Sequence, residues 1–551
     1  MTSVAPIARA ASDSPEASLA AGASGPGGAA VDTVPDGTVG AGALDAGGTA
    51  GEAGRVARES LMLTGGLAVT WVASLAIRLL LPNFLDPAAF GRLVFAESLA
   101  LLLFAPLTLG IDTYARRELA SQPDLYRRLM RPLAVARGAA SVIMAATGVV
   151  VLGALGRPSS VVALFACYAA AQFLVNGGLV AAAFLQGGGR AASVTVTQVV
   201  TKLLWAVLAL GGLTAGVGPM AIPLALAASE AVRLLWLRRC NRALFGRAER
   251  TDWGAAKVAL VACVPLAARQ ISIGLSNSLD TALVGGFAGD REVALYGAAT
   301  LIGMTALFLA PALSAALLPA LARTHAASGE AATVRLGGRI MAVVVAAMLP
   351  ITALMALEAD DIVGRLFGAD YAGATASLRL LSLMFVLTYL ASIGSSVLLA
   401  LGRSWPVTLV SLTTVVLNTA ANLLLLPWAV DRMGPGGPSA VASATVFGAE
   451  AVAAVALLWL VGRQLVDRSL LATVALAAAG GAALLAVHRF SGLDGLPLLA
   501  LEAAVALATV GLGARRPIRA LRSGSDTQRR QATQDERAAA DKEQIVGNRQ
   551  S

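Results

Sequence analysis

The chain has 551 residues, of which 57% are hydrophobic and only 14% charged, and its mean hydropathy is +0.74. A water-soluble protein of that length needs far more charge to cover its surface, so composition excludes a soluble enzyme or scaffold. The net charge of +9 is spread over short loops rather than gathered into one patch, which excludes nucleic acid as a partner.

Residues 1–58 are rich in Ala, Gly, Ser and Pro, aperiodic and slightly acidic, and read as a disordered cytoplasmic tail. They lack the basic start and apolar core of a signal peptide. Apolar runs near or above the ~18–20 residues needed to cross a bilayer then recur along the chain. They predict about 14 transmembrane helices, near 60–81, 91–111, 133–155, 160–185, 192–213, 217–237, 256–286, 293–319, 339–357, 374–400, 405–428, 439–461, 470–487 and 497–513. Residues 514–551 are polar and charged and read as a second disordered tail. The expected fold is therefore an all-α integral membrane protein.

Charge in the loops tests that count. Arg55/Arg58, Arg116–Arg131, Arg190, Arg238–Lys257, Arg323–Arg339, Arg403, Arg463/Arg468 and Arg515–Arg522 mark one set of loops as basic. The alternate loops are poor in basic residues and hold Asp86, Arg157, Asp290/Arg291/Glu292, Glu358/Asp360/Asp361, Asp431 and Asp494. Strict alternation places both termini in the cytoplasm.

An internal echo divides the chain. Phe90-Gly91 followed by Phe104-Ala105-Pro106 recurs as Tyr296-Gly297 followed by Leu309-Ala310-Pro311. Leu185-Gln186 running into Gly189-Arg190 recurs as Leu401-Gly402-Arg403. The shared offset matches six helices with their loops, an even number, so the copies are parallel repeats about an axis along the membrane normal. The expected organisation is a six-helix bundle over 59–238, a cytoplasmic linker over 239–256, a second six-helix bundle over 257–462, and two extra helices over 463–513.

A charge at mid-bilayer costs roughly 2.5–3.5 kcal/mol on insertion scales, so each needs a reason. Arg92, Arg233 and Arg379 lie near helix ends and are expected only to snorkel to the headgroups. Arg78 and Glu97 sit at similar depth on the first two helices, as a structural ion pair or as a substrate contact. Lys202 lies too deep to snorkel and shares a face with Thr195 and Gln198. It either pairs with a carboxylate on another helix, Glu450 being the obvious one, or lines an aqueous cavity. On the seventh helix Arg269, Ser272, Ser276 and Asp280 follow helical spacing, flanked by Gln270 and Asn277. That stripe faces protein or water, as packing contacts or as a cavity wall. Glu502 has no evident partner in the sequence.

No catalytic constellation stands out. The histidines His325 and His488 are too few for a metal centre or a triad, and Cys167, Cys240 and Cys263 lack the spacing of a disulfide or metal site. Gly187-Gly188-Gly189-Arg190 lacks the ending of a phosphate loop. The loops leave no room for a soluble catalytic domain, so neither an enzyme nor a cofactor is expected.

Ile77-Arg78-Leu79-Leu80, Phe90-Gly91, Leu109-Gly110-Ile111 and Arg116/Arg117 resemble the opening of bacterial oligosaccharide flippases. Ser278-Leu279-Asp280, Gly285-Gly286-Phe287, Leu295-Tyr296-Gly297-Ala298-Ala299 and Leu318-Pro319 resemble the matching stretch of their second half. These flippases belong to the multidrug/oligosaccharidyl-lipid/polysaccharide exporter superfamily. The resemblance covers about residues 60–462; the typical polysaccharide flippase has twelve helices, and two more occur in some relatives, including lipid II flippases.

The resemblance implies alternating access by two bundles around a positively lined cavity in the bacterial inner membrane. The cargo would be a polyprenyl-pyrophosphate-linked glycan, and a glycan polymerase and glycosyltransferases would be working partners. Arg78, Lys202 and Arg269 would meet the diphosphate. Glu97, Asp280 and Glu450 would be coupling or ion-pair carboxylates. Gln198, Gln270, Ser272, Ser276 and Asn277 would line the cavity. Rival readings are a multidrug or organic-cation antiporter of the same superfamily, whose cargo favours acidic and aromatic walls, and a membrane-embedded glycan polymerase or ligase.

Overall fold

A computed structural model of the chain describes residues 69–108, 125–246, 251–307, 309–462, 468–493 and 497–515, with a few isolated positions beside them. Along 261–277, at a few positions between 304 and 315 and at 468–469 it describes the backbone alone. The elements are α1 (Val69–Phe84), α2 (Pro87–Phe104), α3 (Leu125–Ala154), α4 (Ser159–Gly187), α5 (Ala191–Thr214), α6 (Ala221–Phe245), α7 (Trp253–Ala288) and α8 (Asp290–Leu307). They continue with α9 (Leu309–Leu357), α10 (Ala359–Phe367), α11 (Thr375–Ala400), α12 (Ser404–Arg432), α13 (Gly437–Val461), α14 (Arg468–Phe490) and α15 (Pro497–Arg515). Among the described residues every element is a helix, and 11 helices are long and apolar enough to cross a membrane. Their flanks carry large apolar side chains in the open, such as Trp459 at 79% and Leu424 at 75% exposure. Water would reject such a surface and hydrocarbon accepts it. The chain is a multi-pass membrane protein.

Helix boundaries follow local chemistry. Asp86 caps α2, its carboxylate accepting the Ala89 N–H at 3.1 Å, with Pro87 opening the helix. Asp252 caps α7 in the same way through Ala255 N–H at 2.9 Å. Two departures from the sequence reading stand out. The basic segment 323–339, read as a loop, is helical except at Gly329, where α9 turns (φ 76°). Its Ala-rich composition sustains helix up to that glycine. The short α10, absent from the predicted spans, lies in the acidic turn that follows α9.

The echoed turns have one geometry. Gly189 N–H donates to Gln186 O at 3.0 Å and Arg190 N–H to Leu185 O at 2.9 Å. Gly402 N–H donates to Leu399 O at 3.0 Å and Arg403 N–H to Leu398 O at 2.8 Å. Both glycines take the left-handed conformation (φ 75° and 72°) that closes a helix C-terminus.

Helix contacts fall into two sets. α2 through α6 pack among themselves, α3 and α6 against α4 and α5 against α6. α7, α8, α9, α11, α12 and α13 form the other set, with α14 along α9. The last helix, α15, rests on both of these: Thr509 faces Gly480 of α14, and Gly513 faces Ala346 of α9. Across the divide, α2 packs on α7 and α8, and α3 touches α7. One end of the molecule carries the acidic turns and the other the basic ones.

Candidate functional site

The two sets meet at the acidic end through the echoed motifs themselves. A Cβ at Gly91 would run into the Asp290 carbonyl, and one at Gly297 would press on Val94 at 3.3 Å, so these glycines permit the closest approach of α2 to α8. Gly285 gives way to the Phe95 ring in the same manner. Arg157, from the turn between α3 and α4, bridges the seam: its Nη1 lies 3.3 Å from Asp290 Oδ1, its Nη2 donates to the Gly285 carbonyl, and its guanidinium sits 4.6 Å from the Phe95 ring centre. Glu292 ties α8 to the start of α13, accepting Gly436 N–H at 2.7 Å and Ser439 N–H at 3.1 Å. Sequence reasoning took Arg157 only as a loop marker, and single residues in loops carry no signal of a partner on another bundle.

Asp280 lies inside the second set, 2% exposed. Its Oδ1 accepts the amides of Asn418 at 2.7 Å and Asn422 at 2.9 Å, both from α12, and Asn422 Oδ1 accepts the Thr445 hydroxyl of α13 at 2.9 Å. Asp280 Oδ2 accepts no hydrogen bond among the described residues. Three helices thus converge on one carboxylate through oxygen and amide groups. Asn418, Asn422 and Thr445 were missed by the sequence reading, although Asn418 and Asn422 stand one helical turn apart in an apolar run, a signal of one polar face.

In the first set Arg78 and Glu97 are brought together, Nη2 to Oε1 at 2.5 Å, with both side chains mostly buried. Tyr168 of α4 lies within electrostatic reach of the pair. Lys202 stands half-buried on α5, its ammonium 4.6 Å from the Trp205 ring centre. Gln198 is half-buried one turn away, and Glu450 is buried on α13. The side chains of Arg269, Gln270, Ser272, Ser276 and Asn277 lie outside the described residues, although the helix that carries them is described.

Arg233 does not snorkel. It is 5% exposed and paired with Glu230 one turn earlier, at 3.1 Å, because its helix faces α4 rather than lipid at that point. Nearby, Arg137 of α3 is buried and donates to the Asn176 carbonyl at 3.2 Å, lining a small pocket with Ser141 and Arg238. The sequence reading passed over Arg137, four residues inside a predicted span.

At the acidic end, Glu502 of α15 finds the partner that sequence did not supply. His488 Nδ1 lies 3.0 Å from Glu502 Oε1 and 3.5 Å from Glu358 Oε1. Burial, with the Glu502 carboxylate alongside, pushes Glu358 up to about 7. At the basic end, the Ala255 N–H and Arg128 hold the Asp252 carboxyl below its ordinary value, Arg128 Nη2 lying 2.6 Å away.

Residues 56–325 match a family model described as polysaccharide biosynthesis protein. No curated protein matches the sequence at a significant level. Among solved structures, the fold is similar to that of the lipid II flippase MurJ in an inward closed conformation, with a TM-score of 0.61 at 10% identity over 82% of this chain and 99% of that one. It is also similar to an inward-facing multidrug resistance MATE family transporter of the MOP superfamily, with a TM-score of 0.55 at 17% identity over 71% of this chain and 93% of that one. At those identities the likeness is one of fold. Residues 56–325 of this chain therefore resemble the polysaccharide biosynthesis protein family, and the fold is similar to that of these two proteins.

Proposed function

We propose that this protein flips a polyprenyl-pyrophosphate-linked oligosaccharide across the bacterial inner membrane by alternating access of two six-helix bundles, with the basic end and both termini in the cytoplasm. The observation that carries the reading is that polysaccharide-biosynthesis sequence lies in a fold shared with a lipid II flippase. A diphosphate cannot enter hydrocarbon unpaired, whereas a polyprenyl tail can stay in it, so the protein has to supply counter-charge along a wet path. Arg78, Lys202 and Arg269 are assigned that role, arginine being suited to bidentate phosphate contact. Glu97 occupies Arg78 while the acidic end is shut and yields it to the diphosphate as the bundles swing apart. Asp280 is the coupling carboxylate, binding a proton or a small cation in exchange with each cycle.

The reading is tested by deleting the gene and labelling lipid-linked repeat units in each leaflet. Loss of a flippase strands complete units on the cytoplasmic leaflet; loss of a polymerase or ligase strands them outside. Arg269→Gln and Lys202→Gln are expected to abolish glycan export at normal protein level, and normal export by both variants would remove the cationic path from the mechanism.

A further inference from the structure

The trio Glu358, His488 and Glu502 joins three separate helical segments at the acidic end: the turn between α9 and α10, the last turn of α14, and the first half of α15. Both carboxylates are buried, Glu502 with its side chain 0% exposed and Glu358 with 6%, while His488 is 39% exposed. Glu358 Oε1 and Glu502 Oε2 accept no hydrogen bond among the described residues. Two carboxylates facing one another out of water repel unless something positive stands between them. One imidazole cannot satisfy both, since its Nδ1 offers a single proton along a single direction.

From this we propose that Glu358, His488 and Glu502 form a binding site for a first-row divalent metal ion of the zinc type. The donor set, one imidazole nitrogen with two carboxylates, is one that zinc accepts. The spacing fits as well. Ligands about 2.05 Å from a tetrahedral ion stand roughly 3.3–3.4 Å apart, and His488 Nδ1 is 3.0 and 3.5 Å from the two glutamate oxygens. The three donor atoms all lie within 4.8 Å of one another, so closure around an ion takes only small side-chain rotation. The fourth position points to the exposed side of His488, where a water completes the shell and where the ion enters. Two carboxylates with a neutral imidazole balance the charge of a divalent ion.

The site fastens α14 and α15 to the second bundle at the point where α9 ends. It gives the two additional helices a mechanical role, holding them to α9 and α10 at the end where the halves meet. The proposal is independent of the cargo: it stands whatever the transporter carries.

The experiment uses the full chain, purified in detergent through a tag without histidines, stripped with chelator and reloaded with zinc, manganese or calcium. Metal content and thermal unfolding are read for the wild type, His488→Gln, Glu502→Gln and, as a control, His325→Gln, which changes the other histidine. Wild type and His325→Gln are expected to retain about one zinc ion per chain and to unfold at a higher temperature with zinc. His488→Gln, at a partly exposed position that leaves folding intact, is expected to bind zinc at least about tenfold more weakly and to lose the zinc-dependent rise. Equal zinc retention by wild type and His488→Gln would overturn the proposal. So would a wild type whose unfolding temperature answers to acid but not to zinc, because the trio would then be a protonated ion-pair cluster.

Discussion

Two buried carboxylates, one in each set of helices, are handled in opposite ways. Glu97 is paired with the Arg78 guanidinium at 2.5 Å. Asp280, more deeply placed, is held by the neutral amides of Asn418 and Asn422, and its second oxygen has no partner among the described residues. A paired carboxylate is electrically complete and resists change. One cradled by amides alone is poised to take up a positive charge, and the bundle has to give it one or pay in stability. The first arrangement suits a conformational clasp and the second suits coupling.

The sharpest way to break the contrast is to neutralise each acid in turn. Asp280→Asn keeps the shape and removes the charge, and is expected to reduce glycan export by at least about tenfold, the scale of a buried functional charge, while membrane levels stay normal. Export is measured as surface glycan in a deletion strain. Export at wild-type level would assign Asp280 to packing.

The ion pair predicts a different pattern. Arg78→Ala strands Glu97 in a mostly buried setting and is expected to cost roughly 3 kcal/mol in unfolding free energy, whereas replacing both partners with apolar residues costs much less. Thermal unfolding in detergent of the two singles and the double separates these outcomes. If the losses of the two singles simply sum to that of the double, the pair is not coupled.

The seam at the acidic end sharpens the comparison from outside the two clusters. Gly91→Val puts methyl groups where the Asp290 carbonyl lies, so α2 and α8 can no longer meet and the acidic end is held open. A cysteine introduced beside the seam should then react with a membrane-impermeant maleimide several times faster than in the wild type. Arg157→Gln removes the bridge to Asp290 and Gly285 but leaves the glycine contact, and a smaller increase is expected.

What sequence could and could not supply follows from the range of the interactions. The helices were legible because each is defined within its own apolar run, and so was Asp280, because its spacing on α7 is local. Its partners were not, since Asn418 lies 138 residues away and no periodicity on α7 encodes a neighbour on α12. The same holds for Arg157, 133 residues from Asp290, and for Glu502, whose histidine sits on the preceding helix but whose second carboxylate comes from the end of α9. Arg233 misled for the opposite reason. Nearness to a helix end suggests a route to the headgroups, but only packing tells which face of the helix that route would cross.

The smallest expected effect lies at the basic end, where α7 begins. Asp252 is half-buried and holds Arg128 and the first turn of its helix, with its carboxyl depressed by the Ala255 N–H and by Arg128. A carboxyl whose value is lower in the folded state than in the unfolded one adds stability above its unfolded value and loses it as pH falls through the folded one. Asp252→Asn is therefore expected to lower the unfolding temperature slightly at neutral pH, since an asparagine can still cap the helix but cannot pair with Arg128. The difference from wild type should vanish below the ordinary carboxylate range and shrink in high salt. A gap that persisted in acid would mean that the cap, not the charge, is what this linker uses to fix the entry of α7 and with it the depth at which Asp280 is set.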